Sequence, residues 1–235
     1  MCLMSSDNFS KEKQEELIDY YVSYLQVDGL FVLNMKASLK KAYDKPVVSL
    51  FSDPGGNVDS VKVDTAGAVR SALQLLIRLG HRHIAFLGEP LTGRKAEEFQ
   101  QSVREWDIPD AVVLESPHRF EKAGEDGVRR LLSGYPKTTA ILCAYDNIAY
   151  GAIRALQETG LEVPRDMSVV GIDNNSTSGY MKPELTAVDM NPGEVCQIAW
   201  ELLNRKLENK GFRARQTVTI KPELILRESH GAPRE

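Results

Sequence analysis

Along this chain, short unbroken apolar runs alternate with longer stretches in which apolar residues recur three and four positions apart. The first pattern is that of a strand buried on both faces and the second that of an amphipathic helix. Ser10 can cap a helix that carries Leu17, Ile18, Tyr21, Val22 and Leu25 on one face. GLFVL (Gly29 to Leu33) follows as a strand, and Ala, Leu and Lys content predicts a weak helix over about 36–43. Pro46 stops that helix before the strand VVSLF. Asp64 opens a helix with Val69, Ala72, Leu73, Leu76 and Ile77 inward, and Gly80 stands where a helix ends.

From Gly80 the alternation is regular. Strands are predicted at 83–87, 111–114, 140–143 and 168–172, with a helix over 121–132. Asp146 reads as the cap of a helix through Ala149, Ala152, Ile153 and Leu156, closed by Gly160. The last helix starts Asn191-Pro192-Gly193-Glu194, with a cap, Pro at the first helical position and Glu reaching back. Its inward face is Val195, Ile198, Ala199, Leu202 and Leu203, and TVTI and LIL are late strands. Apolar strands separated by helices define an α/β chain with parallel sheets covered on both faces. The front half has only CLM, GLFVL and VVSLF as clean strands, against four strand–helix steps in the back half. It reads as one strand and one helix short, with CLM as a second strand.

Composition narrows the class. With 42% hydrophobic and 26% charged residues, the chain is an ordinary globular one. A net charge of −4, from 29 basic and 33 acidic side chains, gives no global pull towards nucleic acid. No apolar run approaches the ~18 residues of a membrane span, and MCLMSSDN has no leader pattern. A cytoplasmic protein without membrane contact is expected. Cys2, Cys143 and Cys196 contain no C-x-x-C, and Cys143 and Cys196 are expected to be small core residues.

The standard phosphate-cradling, nucleophile-elbow and zinc motifs are absent, so neither an enzyme nor a cofactor is expected. His81-Arg82-His83 offers two imidazoles at i, i+2 without a matched third ligand. It reads as the turn from a helix into a core strand, and no metal site is expected. In open α/β sheets, ligands bind at the carboxyl ends of strands. Glu89, Arg94 and Lys95 follow HIAFLG, Glu115 and Phe120 follow AVVL, Tyr145 and Asp146 follow AILCA, and Asp173 follows SVVGI. A carboxylate can accept from two neighbouring hydroxyls, and a ring can cover a sugar or base. Each also has a plainer reading: Asp146 as a cap, Arg94 and Lys95 as a solvated first turn, Phe120 and Tyr145 as packing. Asp173 is harder to dismiss, since it directly follows a buried strand and no helical pattern begins there to need a cap.

DTAGAVRSALQLLIRLGHRHIAFLG, AYDNIAYGAIRALQETGLEVPRDMSVVGIDN and PELTAVDMNPGEVCQIAWELL resemble the effector-binding and dimerisation core of the LacI/GalR family of bacterial transcription regulators, over nearly the whole chain to about Arg227. The resemblance implies a type I periplasmic-binding-protein fold, two Rossmann-like lobes joined by crossover strands with ligand in the cleft between them. It puts 1–63 and 188–216 in an N-terminal lobe, 64–187 and 217–229 in a C-terminal lobe, and 230–235 in a tail. It implies a sugar-like effector, a homodimer, and operator DNA contacted only through a headpiece that this chain lacks.

The sequence departs from the family where the effector is clamped. Lys95 stands in the place of an arginine, with Glu98 at a customary glycine. Lysine is a point charge on a flexible stem, so loose engagement is expected, with Arg94 as a substitute. Tyr145-Asp146 replaces Asn-Asp, Asp173-Asn174 keeps the first acid of Asp-Asp, and Phe120 falls where many members place an aromatic. The expected effector-binding set is therefore Asp173, Lys95, Arg94, Phe120 and Tyr145. The alternative is an exported sugar-binding protein of a transporter with the same fold.

Overall fold

A computed structural model describes residues 2–5, 9–39, 43–209 and 214–234. It divides into two compact units, Met1–Asp64 with Asn191–Lys221, and Thr65–Met190 with Pro222–Glu235.

The first unit is built on a five-stranded sheet. Its order is β1 (Cys2–Ser5), β2 (Leu30–Leu33), β3 (Val47–Leu50), β4 (Asp59–Val63) and β10 (Thr217–Ile220), all parallel. Ser10 caps α1 (Lys11–Asp19) by accepting the Lys13 amide at 3.3 Å, and a π-helical turn over Tyr20–Tyr24 continues it. Ile18 and Val22 are buried as their spacing predicts, and so is Gln14. The Gln14 Oε1 accepts the amides of Lys36 (2.8 Å) and Ala37 (3.0 Å). That is why the helix expected over 36–43 is absent from 36–39. The backbone there takes no regular secondary structure, its first two amides answered from α1, with Ala37 and Leu39 in the core. Residues 40–42 lie outside the described residues.

The strand DSVKV escapes an apolar-run reading because its inward groups are polar. Asp59 is buried yet takes Lys206 Nζ at 2.6 Å and the Gln216 amide at 2.8 Å, while the Ser60 hydroxyl meets Thr217 Oγ1 at 3.2 Å. These contacts also correct the lobe boundary: TVTI does not join the second sheet but pairs with β4, Thr217 opposite Ser60. The return crossing falls at Asn191 and not at 188. On α6 (Pro192–Glu208), Val195, Ala199 and Leu203 are buried. Asn191 precedes it with φ 47°, and its side-chain amide donates to the Lys221 carbonyl in place of capping the helix. Cys196 lies on the exposed face of α6, not in the core; Cys143 is buried.

The second unit carries the regular alternation. Its elements are α2 (Thr65–Arg78), β5 (Ile84–Gly88), α3 (Gly93–Glu105), β6 (Val112–Glu115), α4 (Phe120–Gly134), β7 (Ala140–Cys143), α5 (Asp146–Glu158), β8 (Ser168–Asp173), β9 (Thr186–Asp189) and β11 (Glu223–Ile225). The sheet order is β11-β9-β8-β7-β5-β6, parallel throughout except β11, which runs antiparallel to β9. Ile84 to Leu87, Ala140 to Cys143, and Val169, Val170 and Ile172 are fully buried, as continuous apolar strands between helices should be.

Two local contacts hold neighbouring elements in place. Helix α2 ends with His81 N–H on the Leu76 carbonyl and Gly80 N–H on Ile77, with φ +102° at Gly80, a Schellman end. His81 is buried there, with Nδ1 2.8 Å from Thr139 Oγ1 and Nε2 2.9 Å from the Gly231 carbonyl. The HRH segment is thus the helix-to-strand turn, pinned to the chain's last residues. Helices α4 and α5 touch backbone to backbone: a Cβ at Gly124 would collide with the Ile148 carbonyl, and one at Gly151 with the Glu121 carbonyl. Asn147 Nδ2 donates to Glu121 Oε1 at 2.7 Å, so the two helix starts lie side by side. No helix among the described residues is long and apolar enough to cross a membrane.

Candidate functional site

The second unit's sheet places β5, β7, β8 and β9 in spatial succession, so the residues just past their carboxyl ends form one cluster. Asp173 ends β8 with φ +133°, and Asn174 follows at φ +56°. Two consecutive non-glycine residues at positive φ are strained, and such strain concentrates at sites where direction matters more than stability. Asp173 Oδ1 lies 3.7 Å from Lys95 Nζ, with the aspartate side chain 33% exposed and the lysine 12%.

Lys95 is not loosely engaged. Its ammonium donates to the Ala144 carbonyl at 2.6 Å and lies 4.5 Å from the centre of the Tyr145 ring. Helix α3 brings the lysine in, the β7–α5 junction supplies the carbonyl and ring, and β8 supplies the carboxylate. Burial pushes the Lys95 ammonium below its ordinary value, and Asp173 and Asp146 oppose the shift. Burial likewise pushes Asp173 up to about 6; Lys95 counters this and Asp146 adds to it.

Asp146 is a different residue from the cap that its position suggests. Tyr145 is the N-cap, and Asp146, fully buried, takes the Ser178 hydroxyl at 2.5 Å and the Asn175 amide at 2.7 Å on Oδ2. It ties α5 to the 3-10 turn Ser176–Tyr180. Its Oδ1 has no hydrogen-bond partner and lies against Gly171. Burial raises this carboxyl, opposed by Ser178, Asn175, Lys95 and Arg227. The Lys95 ammonium thus acts on two carboxylates, on Asp173 from 3.7 Å and on Asp146 through its charge.

Arg227 completes the far side, and the sequence pattern gives no sign of it. It donates to the Leu185 carbonyl at 2.6 Å and to Asn174 Oδ1 at 2.7 Å, while Asn174 Nδ2 donates to Asp189 Oδ2 at 2.9 Å. Nothing local announces it, since its partners lie 42 and 53 residues away in sequence.

Phe120 is the first residue of α4, 43% exposed at φ +53°. Its helix adjoins that of Tyr145 through the Glu121–Asn147 bond. The structure therefore gathers Asp173, Lys95 and Tyr145 directly and puts Phe120 on the adjoining helix start. Arg94 is set apart. It is exposed, and it lines a depression of about 230 Å³ with Thr65, Ala66, Glu97, Glu98 and Gln101. Glu98, at the customary glycine position, binds Arg70 at 2.7 Å. Among the described residues no group of three or more His, Cys, Asp or Glu side chains is arranged to hold a metal ion.

The family model for periplasmic binding protein-like domains matches residues 73–230. The chain belongs to that family. Its relatives are regulators: it is 28% identical over 221 residues to catabolite control protein A of Priestia megaterium, spanning 88% of this chain and 66% of that protein's length. The fold is shared with the Escherichia coli transcriptional repressor ascG (TM-score 0.86, 22% identity, 98% of each chain). It is shared too with a LacI family regulator from Enterococcus faecium with bound ribose (TM-score 0.77, 19% identity, 100% of each chain).

Proposed function

We propose that this chain is the effector-sensing domain of a LacI/GalR-type transcription regulator and binds a small, neutral, polyhydroxylated molecule. Asp173, Lys95 and Tyr145 are the contacting groups, with Phe120 as a ring wall. The observation that carries the reading is the Asp173–Lys95 pair. At 3.7 Å it is too long for a full hydrogen bond, and the aspartate is partly exposed. A ligand hydroxyl can donate to the carboxylate and accept from the ammonium, satisfying both without breaking the Ala144 anchor. An anionic ligand would meet Asp173 and Asp146 against a lysine already engaged, so the site favours a neutral sugar over a sugar phosphate. The ribose bound to the Enterococcus faecium regulator of the same fold supports the ligand class.

In the whole protein, operator DNA would be contacted by a headpiece outside these 235 residues, and the working form would be a homodimer. Calorimetric titration with neutral pentoses, hexoses and disaccharides, sugar phosphates and nucleobases tests the sensing role. Saturable binding of at least one neutral sugar is expected. Binding confined to the phosphorylated compounds or nucleobases, or to none of the panel, would contradict it.

A further inference from the structure

We propose that Glu89 is the positioning residue of this site, a buried carboxylate that sets the Phe120 ring without touching the ligand. The inference rests on the reading of Phe120 as a ligand-facing ring. Glu89 is the residue just past β5, and it is 0% exposed. Its Oε1 accepts the Arg119 Nε–H at 2.9 Å, and its Oε2 accepts the Phe120 amide at 2.9 Å. One carboxylate thus holds two consecutive residues that lie 30 and 31 positions further along the chain.

Glu89 is itself fixed at the backbone. Its amide donates to Thr92 Oγ1 at 2.9 Å, and the Thr92 hydroxyl donates back to the Glu89 carbonyl at 2.7 Å. This closes the turn between β5 and α3, so the carboxylate has a defined direction before it meets its partners. Those partners are then forced. Phe120 takes φ +53°, a conformation that a bulky side chain rarely adopts. The Arg119 guanidinium lies 4.4 Å from the Phe120 ring centre, covering one face. The residue remains 43% exposed.

A purely structural role explains this poorly. Arg119 is 49% exposed and Phe120 fills no core, so a buried acid is committed to two surface residues. A buried carboxylate is costly unless paired and hydrogen-bonded, and here both oxygens are used to aim one exposed ring.

Both partners are donors, so the site needs two acceptors. Glu89→Gln keeps the shape but turns one acceptor into a donor facing a donor. The first readout needs no ligand. Amide exchange at Phe120 should quicken by about tenfold or more in Glu89→Gln while amides of β5 and β7 keep their rates. Unchanged protection at Phe120 overturns the clamp. The second readout is a double-mutant cycle on whichever neutral sugar binds the unaltered protein. Glu89→Gln should weaken binding by about tenfold, yet by less than about twofold when Phe120→Ala is already present. Equal losses in both backgrounds overturn the positioning role. Should Glu89→Gln fail to fold, Arg119→Met removes the other arm and is read in the same cycle. If no panel compound binds, the sensing role fails by itself, and the exchange rate still decides whether Glu89 holds Phe120.

Discussion

Asp146 fills the space that a side chain at Gly171 would need. The Oδ1 of the buried aspartate lies where a side chain at Gly171 would begin, and Leu185 Cδ2 would be 3.0 Å from the same Cβ. The aspartate cannot swing away freely, because Ser178 and the Asn175 amide hold its other oxygen. Gly171→Ala should therefore destabilise the second unit by about 1–3 kcal/mol through overpacking. It should also shift the Ser176–Tyr180 turn. A denaturant melt of the variant beside the unaltered protein measures this, and identical midpoints would show that Asp146 is not held as described.

His81 carries a structural prediction. With both ring nitrogens engaged by Thr139 and Gly231, His81→Ala removes two hydrogen bonds to half-buried partners, of which the Gly231 carbonyl keeps only the Ser168 hydroxyl. It should cost about 1–3 kcal/mol and loosen the segment around Gly231, visible as faster amide exchange there. Added zinc should leave the melting temperature unchanged, because a ligand stabilises only what it binds. A rise with zinc would contradict the helix-end reading of the HRH turn.

The pH dependence comes from Asp173. Burial first, and Asp146 besides, raise its folded pKa from 3.8 to about 6, while Lys95 opposes them. The folded state then binds more protons than the unfolded one between those values, so this group's contribution to stability falls as pH rises through that window. His81, whose pKa burial lowers, works in the opposite sense below its ordinary value. The difference between the unaltered protein and Asp173→Asn removes that background. Relative to the variant, the unaltered protein should lose stability as pH rises from 3.8 to about 6. Sugar affinity runs the other way, since the ionised carboxylate is the better acceptor. It should weaken as pH falls below about 6 in the unaltered protein and stay level in Asp173→Asn. Parallel pH profiles for the two proteins would count against Asp173.

Much of this is legible in the chain itself. The second unit's strands are continuous apolar runs and its helices are amphipathic, so its layout and the place of Asp173 at a strand end come from pattern alone. Two kinds of feature are not legible. DSVKV hides as a strand because Asp59 and Ser60 are buried by partners more than a hundred residues away, Lys206 and Thr217. The 36–39 segment favours helix by composition, yet the Lys36 and Ala37 amides are taken by Gln14. In the site, Asp146 occupies a helix start and so reads as a cap. Its burial against Gly171 and the 3-10 turn depends on contacts that no local pattern encodes. Arg227 and Glu89 are likewise defined by distant partners.

Lys95, by sequence a loose point charge, is anchored. Held by the Ala144 carbonyl and set over Tyr145, it acts electrostatically on two carboxylates. Lys95→Met should leave Asp146 and Asp173 without their shared cation, raising both carboxyls further and weakening sugar binding by about tenfold to a hundredfold. Calorimetry on Lys95→Met and Asp173→Asn together checks that the two losses are comparable. A negligible loss in Lys95→Met would return the lysine to the status of a solvated first-turn residue.

The central claim is that Asp173 accepts hydroxyls of a small ligand at the end of β8, and one titration tests it most directly. Asp173→Asn keeps the shape, removes the charge and replaces one acceptor with a donor. Measured calorimetrically against the neutral sugar that binds the unaltered protein, it should weaken affinity by about tenfold to a hundredfold, the worth of one charge-assisted hydrogen bond of ~1.5–3 kcal/mol. The melting temperature at neutral pH should hold or rise, because a partly buried charge is gone. Unchanged affinity, or a loss of affinity matched by a fall in melting temperature, would contradict the account.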